Sequence, residues 1–273
     1  MQTTSGKLTE LVDQVLQDSA FMMVYQPILS LKTNIVVGYE ALCRPKMNPA
    51  DWCPNVEAFV NAIKALGLHQ QFDLAVTETV LRDIEACLLL HHDVHFVHIN
   101  LCPESLYSPV FCNELEQLLL ANPIAAGKIR FEITETLAPD ADNKNTNLVQ
   151  LSLTGCQFVL GNFITGYSNF GSLINPHITT VKVDKSVTRQ LTDNDIADKF
   201  MKSLITLLSA IDKHLIIEGV ETSAQLEFLR ANNADYVQGY YLAKPMVKEL
   251  LAFANNGALL MLNEAHKVPT PPC

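Results

Sequence analysis

The sequence predicts an α/β fold, a (β/α)8 barrel of the TIM-like kind with its first strand antiparallel to the others. Three observations predict it. Runs rich in β-branched residues alternate with apolar patterns at helical spacing, the signature of a mostly parallel α/β architecture. The strand-like runs number eight, the count of one closed barrel. One junction is too short for a parallel crossover.

The strand-like runs are Phe21–Ile28, Ile35–Cys43, Val94–Leu101, Lys128–Thr134, Cys156–Asn162, Ile178–Asp184, His214–Gly219 and Tyr236–Gly239. Helical spacing of apolar residues marks Val56–Leu66, Phe72–Leu90, Glu114–Ala121, Asn147–Leu153, Ile196–Ile211 and Ala224–Ala231. Between the first two strands only Leu29 to Asn34 intervene, and a parallel connection needs about a dozen residues or more. Those two strands are therefore expected to run antiparallel. Residues 1–20 read as a lead-in helix with Leu8, Leu11, Val12 and Val15 on one face, residues 21–258 as the barrel, and residues 259–273 as a loose tail.

Composition narrows the function. The 273 residues are 48% hydrophobic, enough for a large core. No run reaches the ~18 uncharged apolar residues of a membrane span, and Met1 to Glu10 has no apolar stretch of the secretory kind; the expected location is cytoplasmic. Seven cysteines without a C-x-x-C pair imply neither a disulfide framework nor a zinc cage. The net charge of −10 argues against general nucleic-acid binding, which needs Lys and Arg to neutralise phosphates. A small anionic ligand held by a few placed cations stays open.

Barrels carry their chemistry at the carboxyl ends of the strands. There the sequence places Glu40, Asn100, Glu132, Lys182, Glu218 and Gln238. By alternation Glu40 shares a face with Gly38 and Leu42, Asn100 with His98, and Glu132 with Arg130 and Thr134. Carboxylates and an amide gathered on one rim are costly to bury without a purpose. Such oxygen donors suit Mg, Mn or Ca rather than zinc. A single glutamate of this kind is ordinarily a solvated loop residue; six matched positions are not. His91, His92, His95 and His98 invite a metal reading, but only His98 is expected to point inward. Trp52 and its neighbouring prolines read as a surface loop, and Leu204–Leu208 as a helix face against the barrel.

The motifs are specific. Tyr39-Glu40-Ala41-Leu42-Cys43-Arg44, preceded by Tyr25-Gln26-Pro27-Ile28, resembles the motif that names the EAL phosphodiesterase family. His98-Ile99-Asn100-Leu101, Phe131-Glu132-Ile133-Thr134-Glu135 and Val181-Lys182-Val183-Asp184-Lys185-Ser186 resemble its third, fourth and sixth strands. Glu218-Gly219-Val220-Glu221-Thr222, then Gln238-Gly239-Tyr240-Tyr241 with Lys244-Pro245, resemble its closing signatures. The matches fall in order across about residues 21 to 246.

The resemblance implies a fold of the EAL type and a divalent-metal phosphodiesterase that linearises cyclic di-GMP. It implies Mg or Mn ions held by Glu40, Asn100, Glu132 and Glu218, together with two adjacent aspartates after the fifth strand. Lys182 would sit by the attacking water and Glu221 would support the seventh-strand end. Gln26, Arg44 and Gln238 would seat the dinucleotide, Arg44 as a cation able to fork onto a phosphate.

The fifth strand departs from the family. Where the family reads D-D-F-G-T-G-Y-S, this chain reads Gly161-Asn162-Phe163-Ile164-Thr165-Gly166-Tyr167-Ser168, so both aspartates are lost. Two divalent ions about 4 Å apart repel by roughly 16 kcal/mol at an effective dielectric near 20, and the bridging carboxylate that offsets this is gone. The expectation is a single weak Mg or Mn site and little or no hydrolysis, with Lys182 and Glu221 vestigial. The chain then acts as a signalling module, either a cyclic di-GMP receptor or a protein-binding module, with an unidentified protein and a second copy of the chain as candidate partners. The alternative is a working phosphodiesterase that uses a reduced metal site.

Overall fold

The barrel begins with a hairpin. In the computed structural model, which describes residues 21–45, 56–89, 94–134, 142–164 and 170–251, β1 (Phe21–Ser30) and β2 (Val36–Pro45) pair antiparallel from Phe21↔Pro45 to Leu29↔Val36. The expected lead-in helix, the 259–273 tail, Trp52, His91, His92, Glu135 and Thr165–Ser168 lie outside the described residues. The hairpin turn closes with Ser30 N donating to Ile35 O at 2.9 Å and Asn34 N to Ser30 O at 2.8 Å. The short junction thus does what its length requires.

The remaining strands are β3 (Val97–Leu101), β4 (Ile129–Thr134), β5 (Gln157–Phe163), β6 (Ile178–Val183), β7 (His214–Ile217) and β8 (Tyr236–Val237). Each pairs parallel with the next from β2 onward, and β1 closes the barrel by pairing antiparallel with β8. The helices are α1 (Val56–Ala65), α2 (His69–Leu89), α3 (Pro109–Ala121), α4 (Pro123–Ala126), α5 (Asp142–Ser152), α6 (Phe170–Ile174), α7 (Lys185–Thr188), α8 (Asp195–Ala210) and α9 (Ser223–Ala231). All six expected helices are present. The short α4, α6 and α7 were not foreseen, because four or five residues carry too little periodicity. Their signals are local: Pro123 stands at the start of α4, and Asp184 caps α7 by accepting from Ser186 N at 2.8 Å.

Outward-facing strand residues such as Ile99, Phe131, Ile133, Phe158, Leu160 and Val181 are fully buried beneath the helices. Leu204, Ile205 and Leu208 seal α8 against them, with Leu207 left exposed. Inside the barrel Ile28, Phe96 and Ile216 form a separate small core, with Val37 and Tyr236 packed on it. The Arg130 guanidinium stacks on Phe96, 3.7 Å from the ring centroid. Apolar packing therefore plugs the lower barrel, with Arg130 stacked on it, and the carboxylates gather toward the carboxyl rim.

One expectation about that rim needs amending. Glu40 does not end its strand: β2 runs five residues further, to Pro45, because its ribbon with β1 continues past Tyr39, Glu40 and Ala41, where β3 pairs.

Candidate metal and ligand site

The rim is assembled from separate strands. Glu40 comes from β2, Asn100 from β3, Glu132 from β4, Lys182 from β6, and Glu218 from just past β7. Backbone bonds hold the last pieces beyond their strands. Glu218 N donates to Val183 O at 3.1 Å, Gln238 N to Ile217 O at 2.9 Å, and Val220 N to Gln238 O at 3.1 Å. Gly239 is needed for this approach, since a Cβ there would stand 2.1 Å from Val220 O.

Lys182 is the centre. Its fully buried ammonium lies 2.5 Å from Glu218 Oε1, 2.6 Å from Glu132 Oε2 and 3.1 Å from Glu40 Oε2. One oxygen from each glutamate lies within 4.8 Å of the others. Glu40 is held further by Gln238 Nε2 at 2.7 Å and Asn100 Nδ2 at 3.0 Å. Gln238 Nε2 also donates to Gln26 Oε1 at 2.9 Å, and Gln26 Nε2 to Ala243 O at 3.1 Å. Gln26 and Gln238 are buried, Gln238 bonding Glu40 directly and Gln26 bonding Gln238.

Electrostatics divide the glutamates. Burial pushes Glu40 up, but Lys182 and the hydrogen bonds from Gln238, Asn100 and Lys182 outweigh it and hold the carboxyl below its usual range. Burial, reinforced by Glu40 and Glu218, pushes Glu132 up to about 8 against the pull of Lys182. Burial likewise raises Glu218. For Lys182, burial favours the neutral amine, yet the three carboxylates overcome it and lift the pKa well above normal. Lys182 thus favours its ammonium form and Glu40 its carboxylate, while burial works against ionisation of Glu132 and Glu218.

The fifth strand carries Gly161 and Asn162. Its register with β6 shifts between Leu160 and Phe163, so Gly161 and Asn162 sit on a bulge, a device that re-aims side chains beside sites. Gly161 is buried and Asn162 exposed, at φ 53°. Glu132 fills the space above Gly161: a Cβ there would lie 2.5 Å from Glu132 Oε1 and 2.8 Å from its Cγ. Ile164 holds φ 88°, a left-handed backbone that costs a β-branched residue strain.

Other expected residues stand apart. The Arg44 guanidinium, half-buried at the end of β2, donates from Nη1 to its neighbour's carbonyl, Cys43 O, at 2.9 Å. Glu221 is exposed and faces Arg189 at 3.7 Å. Its turn is held instead by Gln225, whose Oε1 accepts from Glu221 N at 2.9 Å and Thr222 N at 3.1 Å. Asp184 is spent on its helix cap. His98 does point inward. It is fully buried, with Nδ1 4.0 Å from Glu132 Oε2, and burial, aided by Lys182 and Arg130, keeps it neutral.

Sequence reasoning missed Asp73, buried on α2. Its Oδ2 accepts from Ser105 Oγ at 2.6 Å and Cys102 N at 3.2 Å, pinning the turn that follows Asn100. An acid on the inner face of an amphipathic helix was the available signal.

The donor set fits a divalent cation chemically. Glu40, Glu132 and Glu218 offer hard oxygens, and Asn100, exposed at the rim, has an amide oxygen that rotation would turn inward.

Residues 9–245 match the EAL domain family. The cyclic di-GMP phosphodiesterase NbdA of Pseudomonas aeruginosa is 29% identical over 245 residues, which are 89% of this chain and 31% of that protein. This chain thus spans about a third of that relative's length. A solved structure described as the PaMucR phosphodiesterase in complex with c-di-GMP is 26% identical, with a TM-score of 0.82 over 90% of this chain and 99% of that one. The FimX EAL domain from Pseudomonas aeruginosa bound to c-di-GMP is also 26% identical, with a TM-score of 0.77 over 88% of this chain and 96% of that one. No described helix is long and apolar enough to cross a membrane.

Proposed function

Because this chain belongs to the EAL domain family, its rim should be judged by phosphodiester chemistry, and we propose that it is a cyclic di-GMP signalling module that binds rather than hydrolyses the nucleotide. One observation carries the reading. Where the family's motif places an aspartate, the chain has Gly161, and the space above it is filled by Glu132 leaning toward Lys182.

A divalent ion, when bound, would neutralise phosphate charge and activate water. The chain's own residues supply the rest. Glu40, Glu132, Glu218 and Asn100 would hold one Mg or Mn ion. Gln26 and Gln238 keep Glu40 in place, and Arg44 at the end of β2 is the motif cation free to leave a backbone carbonyl for a phosphate. The absence of a carboxylate at position 161 removes the means of holding a second ion beside the first. Location in the cytoplasm and output through a protein partner or a second copy belong to this reading. That the related EAL domains of PaMucR and FimX are described with c-di-GMP supports nucleotide binding.

A second reading has its own support. The three glutamates still converge within 4.8 Å, which favours a slow phosphodiesterase working with a single ion.

Titration calorimetry with cyclic di-GMP in chelator, Mg and Mn, run beside chromatography for the linear dinucleotide, tests both. Binding without linear product supports the receptor. Turnover that disappears in Glu40→Gln establishes the enzyme instead.

A further inference from the structure

We propose that the amino-terminal end of the barrel, opposite the glutamate rim, is a docking surface for an acidic segment of a protein partner. Five cations gather at that end. Lys128 and Lys213 stand immediately before β4 and β7, and Arg130 is the second residue of β4. Lys32 lies in the β1–β2 turn, which belongs to this end because Ser30 pairs with Tyr236 at the start of β8. Arg230, in the last turn of α9, joins that turn by donating from Nη2 to Asn34 Oδ1 at 3.1 Å.

Among the described residues, none of the five pairs with a carboxylate. Lys128 donates to Val94 O, and Lys213 to Asn175 O at 2.9 Å and Ile178 O at 2.5 Å. Arg130 lies on the Phe96 ring. These partners are neutral, so the positive charge stays uncompensated. Among the described residues of these strand entries the acids are Asp212 and Asp235, and Asp235 is partly spent on Leu215 N at 3.0 Å. In a chain of net charge −10, a surplus of cations at one end runs against the composition.

Capping of strand carbonyls accounts for Lys128 and Lys213, but not for Arg130. Its half-buried guanidinium has an enclosed Nη1 with no hydrogen-bond partner. A charged donor left in that state is costly, and a carboxylate is the acceptor that fits its fork. The apolar surroundings point to the source of that carboxylate. Val37 and Tyr236 pack half-buried on the same small inner core that carries Arg130. Ile35, in the turn with Lys32, is 49% exposed. Apolar contacts framed by charge suit a protein interface. A nucleic acid would instead carry its phosphates onward over the acidic remainder of the chain.

This adds a partner surface to the signalling reading and uses neither nucleotide nor metal, so it stands or falls apart from cyclic di-GMP binding. Fluorescence anisotropy follows a labelled peptide of six glutamates and two leucines, beside a single-stranded DNA of equal charge. The peptide should bind at about 20 mM NaCl and weaken at least about fivefold at about 200 mM. At about 100 mM, Lys32→Glu and Arg130→Met should each weaken binding at least about threefold. Lys199→Glu on α8 makes the same change of net charge as Lys32→Glu and should weaken it less than about 1.5-fold. Lys32 and Lys199 are both exposed, so that comparison keeps its meaning even if Arg130→Met fails to fold. No binding of the peptide at low salt overturns the proposal. So does equal weakening by Lys32→Glu and Lys199→Glu, which would trace the effect to net charge alone. Tighter binding of the DNA would give the face to nucleic acid, and a dimer in light scattering that Lys32→Glu abolishes would give it to a second copy. Either result also overturns it.

Discussion

Glu132 occupies the place of the side chain that Gly161 lacks: a Cβ built on the glycine falls 2.5 Å from Glu132 Oε1. The glycine has no positive φ, so its importance here is spatial rather than conformational. A residue that reads as a missing ligand in sequence is a contact partner in the fold.

Gly161→Ala should therefore destabilise the protein by about 1–3 kcal/mol, the usual cost of overfilling a packed site. The cost should largely vanish when Glu132 is also shortened to Ala. Urea unfolding of the two single variants and the double variant measures the coupling, which should exceed about 1 kcal/mol. Strict additivity would show that the two residues do not compete for space.

Ile164 supplies a second test of β5. At φ 88° its backbone suits glycine, but its side chain is half-buried and packs on the core. Ile164→Ala loses packing and keeps the strain. Ile164→Gly loses the same packing and releases about 1–2 kcal/mol of strain, offset by about 0.5–1 kcal/mol of chain entropy. Glycine should thus equal or exceed alanine in stability here, reversing the usual order. Alanine clearly above glycine in urea midpoints would mean the strain is illusory.

The contrast between rim and fold follows from which forces are local. The antiparallel hairpin could be read from six intervening residues, because chain length alone forbids a crossover. Glu40, Asn100, Glu132 and Lys182 could be placed on the inner face by alternation from strands that proved correct within a few residues. Their mutual arrangement could not. That Lys182 sits among three glutamates depends on how far each strand is staggered around the barrel. Arg44 and Glu221 carry motif positions, yet their long side chains took nearby partners, Cys43 O and Arg189. Asp73 matched no motif, and its value lies in contacts 29 and 32 residues away in sequence.

Asp73 should give the protein a pH dependence. Burial pushes its carboxyl from 3.8 to about 7, against hydrogen bonds from Ser105 and Cys102 and the charge of Lys64, with Glu104 adding to the rise. Between those two values the folded chain keeps a proton that the unfolded chain has released. This contribution to stability is therefore complete below about pH 4 and is lost as pH rises through 7, at up to about 1.4 kcal/mol per unit. Asp73→Asn retains an acceptor oxygen without the proton. It should flatten the slope of urea-unfolding free energy between pH 5 and 7. Identical slopes for the two proteins would remove Asp73 as the cause.

The last prediction concerns repair. Gly161→Asp, Asn162→Asp and Ile164→Gly together restore the family's metal-binding run, while Glu40, Asn100, Glu132, Glu218 and Lys182 still stand at the rim. The triple variant should hydrolyse cyclic di-GMP in Mn where the unaltered chain does not. The structure sets a condition on this outcome. A carboxylate at position 161 displaces Glu132 from its posture over β5, and with it the 2.6 Å contact to Lys182. The added acids also repel Glu40, Glu132 and Glu218 until a cation arrives. The variant should accordingly be less stable than the parent in chelator and gain more stability in Mn than the parent does. Activity is read by chromatography of the linear product, stability by melting in both buffers. A variant that gains metal-dependent stability but no activity would locate the defect in the placement of substrate rather than metal. A parent that already matches the variant's rate would show that Gly161 and Asn162 do not limit hydrolysis at all.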